Sequence, residues 1–115
     1  MEIRTANTIL YCARWQETVT FYRSVLGLRV THETDWFVEF ALGEGVRVSV
    51  ADAGRATVAS AGGRGVTLSL QVTDVAAARD ELAAAGLDPT ELQALWGARV
   101  SYLHDPEGHR IEIWS

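Results

Sequence analysis

Apolar and polar positions in the first half of the chain follow the periods of one helix and four strands. Val19, Tyr22 and Leu26 recur at helical spacing, and Gly27 after them is a natural C-terminal stop. A turn at GEG (43–45) separates two runs in which apolar residues alternate as they do in a hairpin. The pattern therefore predicts a strand at 3–12, a helix at 15–26 and strands at 28–33, 36–42 and 46–51.

The second half repeats this order of elements. Thr73 or Asp74 can cap a helix in VAAARDELAAA (75–85), and Gly86 ends it. Between the halves, residues 53–65 are rich in Ala, Gly and Ser and have no apolar period, which is typical of a connector. The predicted elements of the second half are a strand at 66–72, a helix at 75–85 and strands at 89–93, 98–104 and 109–114.

A repeat in the residues themselves accompanies the repeated order of elements. GEGVRVSV (43–50) matches PEGHRIEI (106–113) as Glu-Gly-x-Arg-aliphatic-x-aliphatic. An internal duplication is the simplest explanation, and it predicts two similar modules related by a pseudo-twofold axis. We expect one compact domain in which residues 1–52 form the first module, 53–65 the connector and 66–115 the second module.

Composition excludes several classes of partner. With 115 residues, 48% of them hydrophobic, the chain is long enough to bury a core of its own. Its formal net charge of −5, with both signs interspersed, argues against nucleic acid and anionic membrane surfaces as partners. No apolar run approaches the ~20 residues of a membrane span, and the N-terminus lacks the features of a signal peptide, so we expect a cytoplasmic protein.

The residue types present also limit the chemistry. The chain contains no lysine, so mechanisms that use a lysine Schiff base are excluded. The lone cysteine, Cys12, excludes an intrachain disulfide and a multi-cysteine zinc site, and its apolar strand favours a place in the core. The chain has no nucleophile elbow, P-loop, dinucleotide glycine motif or His-Glu-x-x-His helix.

Two motifs connect the chain to a known family. FYRSVLGL (21–28) covers the end of the first predicted helix, and YLHDPEGHRIEI (102–113) covers the last two predicted strands. Together with the order of elements, they resemble the vicinal oxygen chelate superfamily, which includes glyoxalase I, extradiol dioxygenases, fosfomycin-modifying enzymes and bleomycin-resistance proteins. The resemblance implies an α+β fold in which two tandem βαβββ modules form curved mixed sheets around a cleft, with helices outside. It also implies a homodimer.

The resemblance further implies where a metal would be held. In metal-dependent members the ligands come from the first and last strand of each module, and those positions are Asn7, Ser49, Thr67 and Glu112 here. Amide and hydroxyl oxygens are weak ligands, and stable transition-metal sites need roughly three or four imidazole, carboxylate or thiolate donors. His104, which the alternation places toward the cleft, adds one donor to Glu112. We therefore predict no metal and no cofactor.

Glu112 lies on an apolar strand pattern, where a carboxylate needs a partner. Alternation with a period of two places it on the cleft face together with Arg110 and Trp114. Arg47, Arg110 or both can pair with the carboxylate in an ion pair that remains after the loss of a metal. The carboxylate or a freed arginine can instead recognise a polar or cationic group of a ligand, and the two roles are compatible.

Alternation on the other strands predicts the rest of the cleft lining. It does not fix the face of the strand at 36–42, where a core-directed Val38 and Phe40 would leave Phe37 and Glu39 as cleft candidates. Four tryptophans are many for a chain of this size, and indole rings suit both core packing and stacking on planar ligands. The residues predicted to line the cleft are Asn7, Ile9, Tyr11, Phe37, Arg47, Ser49, Thr67, Ser69, Trp96, Tyr102, His104, Arg110, Glu112 and Trp114.

Three functions fit these residues. The loss of three of four ligand positions, beside a lining of Arg, Glu, Tyr and Trp, favours a metal-independent protein that binds and sequesters a small molecule, in the manner of the bleomycin-resistance type. Its ligand is expected to be aromatic or natural-product-like. The alternative is a lyase, isomerase or dioxygenase of the same superfamily that uses Glu112 with His104 as an atypical metal or acid/base site. A structural or regulatory dimer with a vestigial cleft is the third.

Overall fold

The computed structural model describes all residues, Met1–Ser115, and shows an α+β protein. The chain divides into two compact units, Met1–Gly63 and Arg64–Ser115. Each unit is a βαβββ module with one four-stranded mixed sheet, which confirms the predicted fold class and the repeated order of elements. The chain has no helix with the length and apolar character that crossing a membrane requires.

The first unit contains one helix and four strands. Its elements are β1 (Ala6–Cys12), α1 (Trp15–Thr20) with a π-helical extension (Phe21–Val25), β2 (Val30–Glu33), β3 (Phe37–Gly43) and β4 (Val46–Asp52). The strands lie in the order β1-β4-β3-β2, with β1 parallel to β4 and the other neighbours antiparallel. The parallel pair is possible because α1 carries the chain across the sheet, whereas short turns join the antiparallel strands.

The core of the first unit lies between the sheet and its helix. Tyr22 is fully buried between Phe21 and Phe40, with ring centroids 5.1 Å and 6.1 Å apart, respectively. No side chain caps the start of α1. Trp15, the first residue of the helix, is instead attached to the sheet, because its indole Nε1 donates to the carbonyl oxygen of Val50 at 2.9 Å. Alternate strand residues complete the core: Leu10, Cys12, Val38, Val48 and Val50.

The second unit repeats the arrangement with shorter strands. Its elements are β5 (Thr67–Gln71), α2 (Val75–Ala84), β6 (Gln93–Leu95), β7 (Ala98–His104) and β8 (Arg110–Trp114), in the order β5-β8-β7-β6. Asp74 caps α2, since its carboxylate accepts from the backbone N–H of Ala77 at 3.1 Å. The core on the helix side consists of Leu68, Val75, Leu82, Leu103, Ile111 and Ile113.

The turn between β7 and β8 is organised by one buried carboxylate. Asp105 is only 4% exposed, and its Oδ1 accepts from the backbone N–H groups of Glu107, Gly108 and His109 at 2.9–3.0 Å. Its Oδ2 lies 2.8 Å from Nδ1 of His109, which is also buried. This residue therefore fixes the path by which the chain enters β8, and it explains the DPEGH sequence in structural terms.

Three predicted elements differ from the structure in detail. The first helix changes from α to π after Thr20, where the N–H of Leu26 reaches the carbonyl of Phe21, five residues back. The first strand begins only at Ala6 rather than at residue 3. The bounds predicted for the strand at 89–93 are wrong, because the regular strand is Gln93–Leu95. The backbone and hydroxyl of Thr90 form hydrogen bonds with Tyr102 outside the regular strand pairing. Arg79 also binds the carbonyl oxygens of Pro89 and Thr90.

Candidate functional site

Each sheet has one face that does not pack on its helix, and we call it the open face. In the first unit the open face carries a connected set of polar side chains at its centre. The register aligns Ile9 and Glu39 with Ser49 on the neighbouring β4. The Ser49 hydroxyl donates to Asn7 Oδ1 at 2.8 Å, and the Asn7 amide donates to Glu39 Oε2 at 3.4 Å.

Glu39 is the acidic centre of this set. The Thr31 hydroxyl donates to its Oε1 at 2.7 Å, and Arg47 Nε lies 3.8 Å from the same oxygen. The side chains of Arg47 and Glu39 are 24% and 26% exposed, so the pair is half-buried. Glu39, which the sequence pattern left as an open candidate, is thus the partner of Arg47. The pairing of Arg47 with Glu39 depends on the register between β3 and β4, which the alternation along one strand does not determine.

In the second unit the open face is centred on Glu112. The register places Ser69 of β5 and Tyr102 of β7 directly beside it. The Ser69 hydroxyl donates to Glu112 Oε1 at 2.5 Å. Desolvation raises the pKa of the Tyr102 hydroxyl above its ordinary value of 10.0. Hydrogen bonding to Glu112 and the charge of that carboxylate raise this pKa further, whereas the Arg110 charge lowers it.

Arg110 does not pair with Glu112, so the ion pair considered for these two residues is wrong. Its Nε donates to the Thr67 hydroxyl at 3.0 Å, and its guanidinium carbon lies 4.7 Å from the centroid of the Tyr102 ring. Both contacts hold the cation away from the carboxylate, and the second is a cation–π contact. The Glu112 carboxylate therefore accepts from the Ser69 hydroxyl and has no guanidinium partner.

A pocket of about 270 Å³ opens beside Glu112 on this face. Cross-strand pairing brings its walls together, because Val100 pairs with Trp114 and Leu95 pairs with Ala98 across the β6–β7 hairpin. Glu112 is the one charged residue of the lining. The residues that line the pocket are Ser69, Leu95, Trp96, Ala98, Val100, Glu112 and Trp114.

Trp96 occupies the turn of the β6–β7 hairpin in an unusual conformation. Its φ of 50° is the only positive φ of a non-glycine residue in the chain, and Gly97 follows with a φ of 77°. Two successive positive φ values are characteristic of the tight hairpin turns in which Asn-Gly is preferred. The Trp96 side chain is 89% exposed, so an indole stands at the mouth of the pocket where a small polar residue is usual.

The remaining predicted lining residues lie on the open faces but outside these two clusters. Ile9 and Tyr11 alternate with the buried side of β1, and Phe37 packs against Trp36 at a ring-centroid distance of 5.7 Å. His104 is exposed opposite Arg110 and forms no hydrogen bond or ion pair with Glu112. The sequence prediction missed Leu95 and Ala98 as lining residues. They lie on either side of the β6–β7 turn, so only the position of that turn identifies them.

The residues at the implied metal-ligand positions do not fit a metal. No group of three or more His, Cys, Asp or Glu side chains is placed to hold an ion. The Asn7 oxygen is used by Ser49, and the Thr67 hydroxyl accepts from the Arg110 guanidinium, which places a positive charge at that position. A divalent cation would meet repulsion there and, at Glu112, a single carboxylate.

Two tandem βαβββ modules with mixed sheets define the glyoxalase type of fold. The sequence profile described as the Glyoxalase/Bleomycin resistance protein/Dioxygenase superfamily matches residues 4–113. The chain belongs to this superfamily, as its two motifs indicated. No protein of curated function matches the sequence.

Solved structures share the fold over nearly the whole chain. A glyoxalase/bleomycin resistance protein/dioxygenase from Nocardioides is 24% identical with a TM-score of 0.80, covering 99% of this chain and 83% of that one. A lactoylglutathione lyase from Agrobacterium tumefaciens is 20% identical with a TM-score of 0.77, covering 94% and 90%. An antibiotic-binding protein from a Streptomyces species is 17% identical with a TM-score of 0.79, covering 98% and 93%. At such identities the likeness concerns the fold alone.

The ionisation of Tyr102 tests the geometry around Glu112. An NMR titration, with Tyr102→Phe to assign the signal, should show Tyr102 ionising above the ordinary value of 10.0. Glu112→Gln should lower this pKa, because the negative charge that opposes the phenolate is gone. Because the pKa is raised in the folded state, the associated stability is present below pH 10 and is lost as the pH rises through the folded pKa. An unchanged pKa in Glu112→Gln would contradict the contact.

Proposed function

We propose that this chain is a metal-independent protein that binds a small, flat organic molecule at the open face of its second unit. The observation that carries the proposal is the pocket at Glu112, where five apolar side chains surround one carboxylate and one hydroxyl. Ligand sites are typically of this kind, with mostly apolar walls and a few polar groups that fix orientation. The protein would act by holding its ligand, in the manner of the binding members of its superfamily.

Three features support binding rather than turnover. The implied metal positions carry an amide, two hydroxyls and one carboxylate, and all four are hydrogen-bonded to other side chains. His104, the other candidate for acid/base chemistry, is not bonded to Glu112. One structural neighbour is an antibiotic-binding protein, which fits an aromatic, natural-product-like ligand. A homodimer in the cytoplasm, as expected from the sequence, is part of the same proposal.

A thermal-shift screen with planar natural products and drug-like aromatics tests the proposal. A true ligand at about 100 times its Kd stabilises the folded form by about 2.7 kcal/mol, which is a shift on the order of 10 °C for a chain of this size. Trp114→Leu should abolish the shift because it removes a wall of the pocket. Trp36→Leu is the matched control, since Trp36 is also half-buried but lies outside the pocket lining.

Two results would contradict the proposal. The first is a screen in which no compound raises the melting temperature. The second is a shift that survives in Trp114→Leu and disappears in Trp36→Leu, because binding would then depend on the first unit.

A further inference from the structure

We propose that the ligand of the Glu112 pocket is a flat apolar molecule that ends in a protonated nitrogen group, such as an arylmethylammonium or an amidinium. The inference rests on the proposed function and adds the charge of the ligand to it. It follows from three properties of the pocket: the sign of its single charge, the acceptor capacity that remains on Glu112, and the position of the indole rings.

The first property is the imbalance of charge in the lining. Glu112 is the only ionisable side chain among the seven lining residues. An apolar ligand that covers this carboxylate removes it from water, and a buried carboxylate without a compensating partner is strongly unfavourable. A cationic donor on the ligand supplies that partner, whereas a neutral apolar group does not and an anionic group adds repulsion.

The second property is the free acceptor capacity of the carboxylate. An ionised carboxylate offers about four acceptor sites. The Ser69 hydroxyl donates one hydrogen bond to Glu112, and Tyr102 lies beside it on the neighbouring strand. The Arg110 guanidinium is engaged with Thr67 and the ring of Tyr102 and is not part of the lining. The protein thus leaves room for one more donor and does not supply the cation itself.

The third property is the pair of indoles beside the carboxylate. Trp96 at the mouth and Trp114 on β8 are both part of the lining. The face of an indole attracts a cation and also stacks on a flat aromatic body. Both parts of the proposed ligand, its ring and its positive end, therefore have a complementary surface.

Calorimetric titration with three probes of similar size, which share a naphthyl ring, tests the charge preference. Naphthylmethylamine is a cation at neutral pH, naphthylmethanol is neutral and naphthoate is an anion. Charge-assisted hydrogen bonds are about twice as strong as neutral ones, so we expect the amine to bind about tenfold or more tightly than the alcohol. Naphthoate should bind most weakly of the three.

Two variants assign the preference to Glu112. Glu112→Gln keeps an acceptor for Ser69 and should bring the amine to within about threefold of the alcohol, because the charge alone is removed. Glu81→Gln is the matched control: it removes the same charge from the exposed surface of α2 in the same unit, and the preference should persist. If Glu112→Gln fails to fold, the ranking of the three probes on the unaltered protein still decides the question.

The outcomes separate this inference from the proposed function. Equal binding of the amine and the alcohol, or a preference that is unchanged in Glu112→Gln, overturns the charge assignment and leaves small-molecule binding intact. Absence of binding by all three probes also overturns it. The thermal-shift screen, which does not depend on ligand charge, then decides the proposed function by itself.

Discussion

Asp105→Ala is expected to lower the free energy of unfolding by about 3–5 kcal/mol, because it removes a buried carboxylate that binds several buried and half-buried donors. Three backbone N–H groups and the buried His109 ring would lose the carboxylate that now binds them. A domain of this size has a total stability of roughly 5–15 kcal/mol, so the variant should lie close to its unfolding transition. Denaturant titration followed by Trp fluorescence measures the change.

Asp88→Ala is the control for this prediction. Asp88 also precedes a proline in the second unit, but it is exposed and no hydrogen bond to its side chain is seen. Its replacement should change the stability by no more than about 0.5 kcal/mol. Similar effects for the two alanine variants would mean that the Asp105 contacts do not stabilise the turn.

Trp96→Asn is expected to separate stability from binding. Asparagine tolerates the left-handed backbone conformation that Trp96 adopts, so the free energy of unfolding should rise by up to about 1 kcal/mol. The ligand found in the thermal-shift screen should bind about tenfold or more weakly, since burial of one large apolar side chain is worth about 1.5–3 kcal/mol. Denaturant titration and calorimetry give the two values.

Trp96→Tyr is the control for this variant, because it retains an aromatic ring on the same backbone. We expect its stability to match that of the unaltered protein and its affinity to fall much less than in Trp96→Asn. A Trp96→Asn variant that binds as tightly as the unaltered protein would show that the exposed indole has no part in ligand recognition.

The fold could be predicted from the sequence because its signals are local and occur twice. Alternation fixed which residues of β1, β5 and β8 face the core, and the buried Leu10, Leu68 and Ile111 agree with it. The repeat of GEGVRVSV as PEGHRIEI marked the equivalent strands β4 and β8. Local signals of this kind do not depend on how the strands pair, so a single sequence is sufficient to predict the fold.

The contacts of the candidate site could be predicted only in part, because they depend on register. The alternation of polar and apolar residues placed Glu112, Tyr102 and Trp114 on one face. It could not show that Arg47 lies beside Glu39 or that Arg110 lies over the ring of Tyr102. The β6–β7 turn was missed for another reason. Trp-Gly is not a recognised turn signal, so nothing in the sequence indicated that Leu95 would pair with Ala98.

The hydrogen bond from Ser69 to Glu112 has a consequence for the thermodynamics of recognition. It restrains the Glu112 carboxylate, so this side chain loses less rotational freedom when a ligand arrives. Ordering a flexible side chain at an interface opposes association by about 0.5–1.5 kcal/mol. The acceptor is thus preorganised, and structures of the free and the occupied protein should superimpose at this strand with only the indole of Trp96 changing its rotamer.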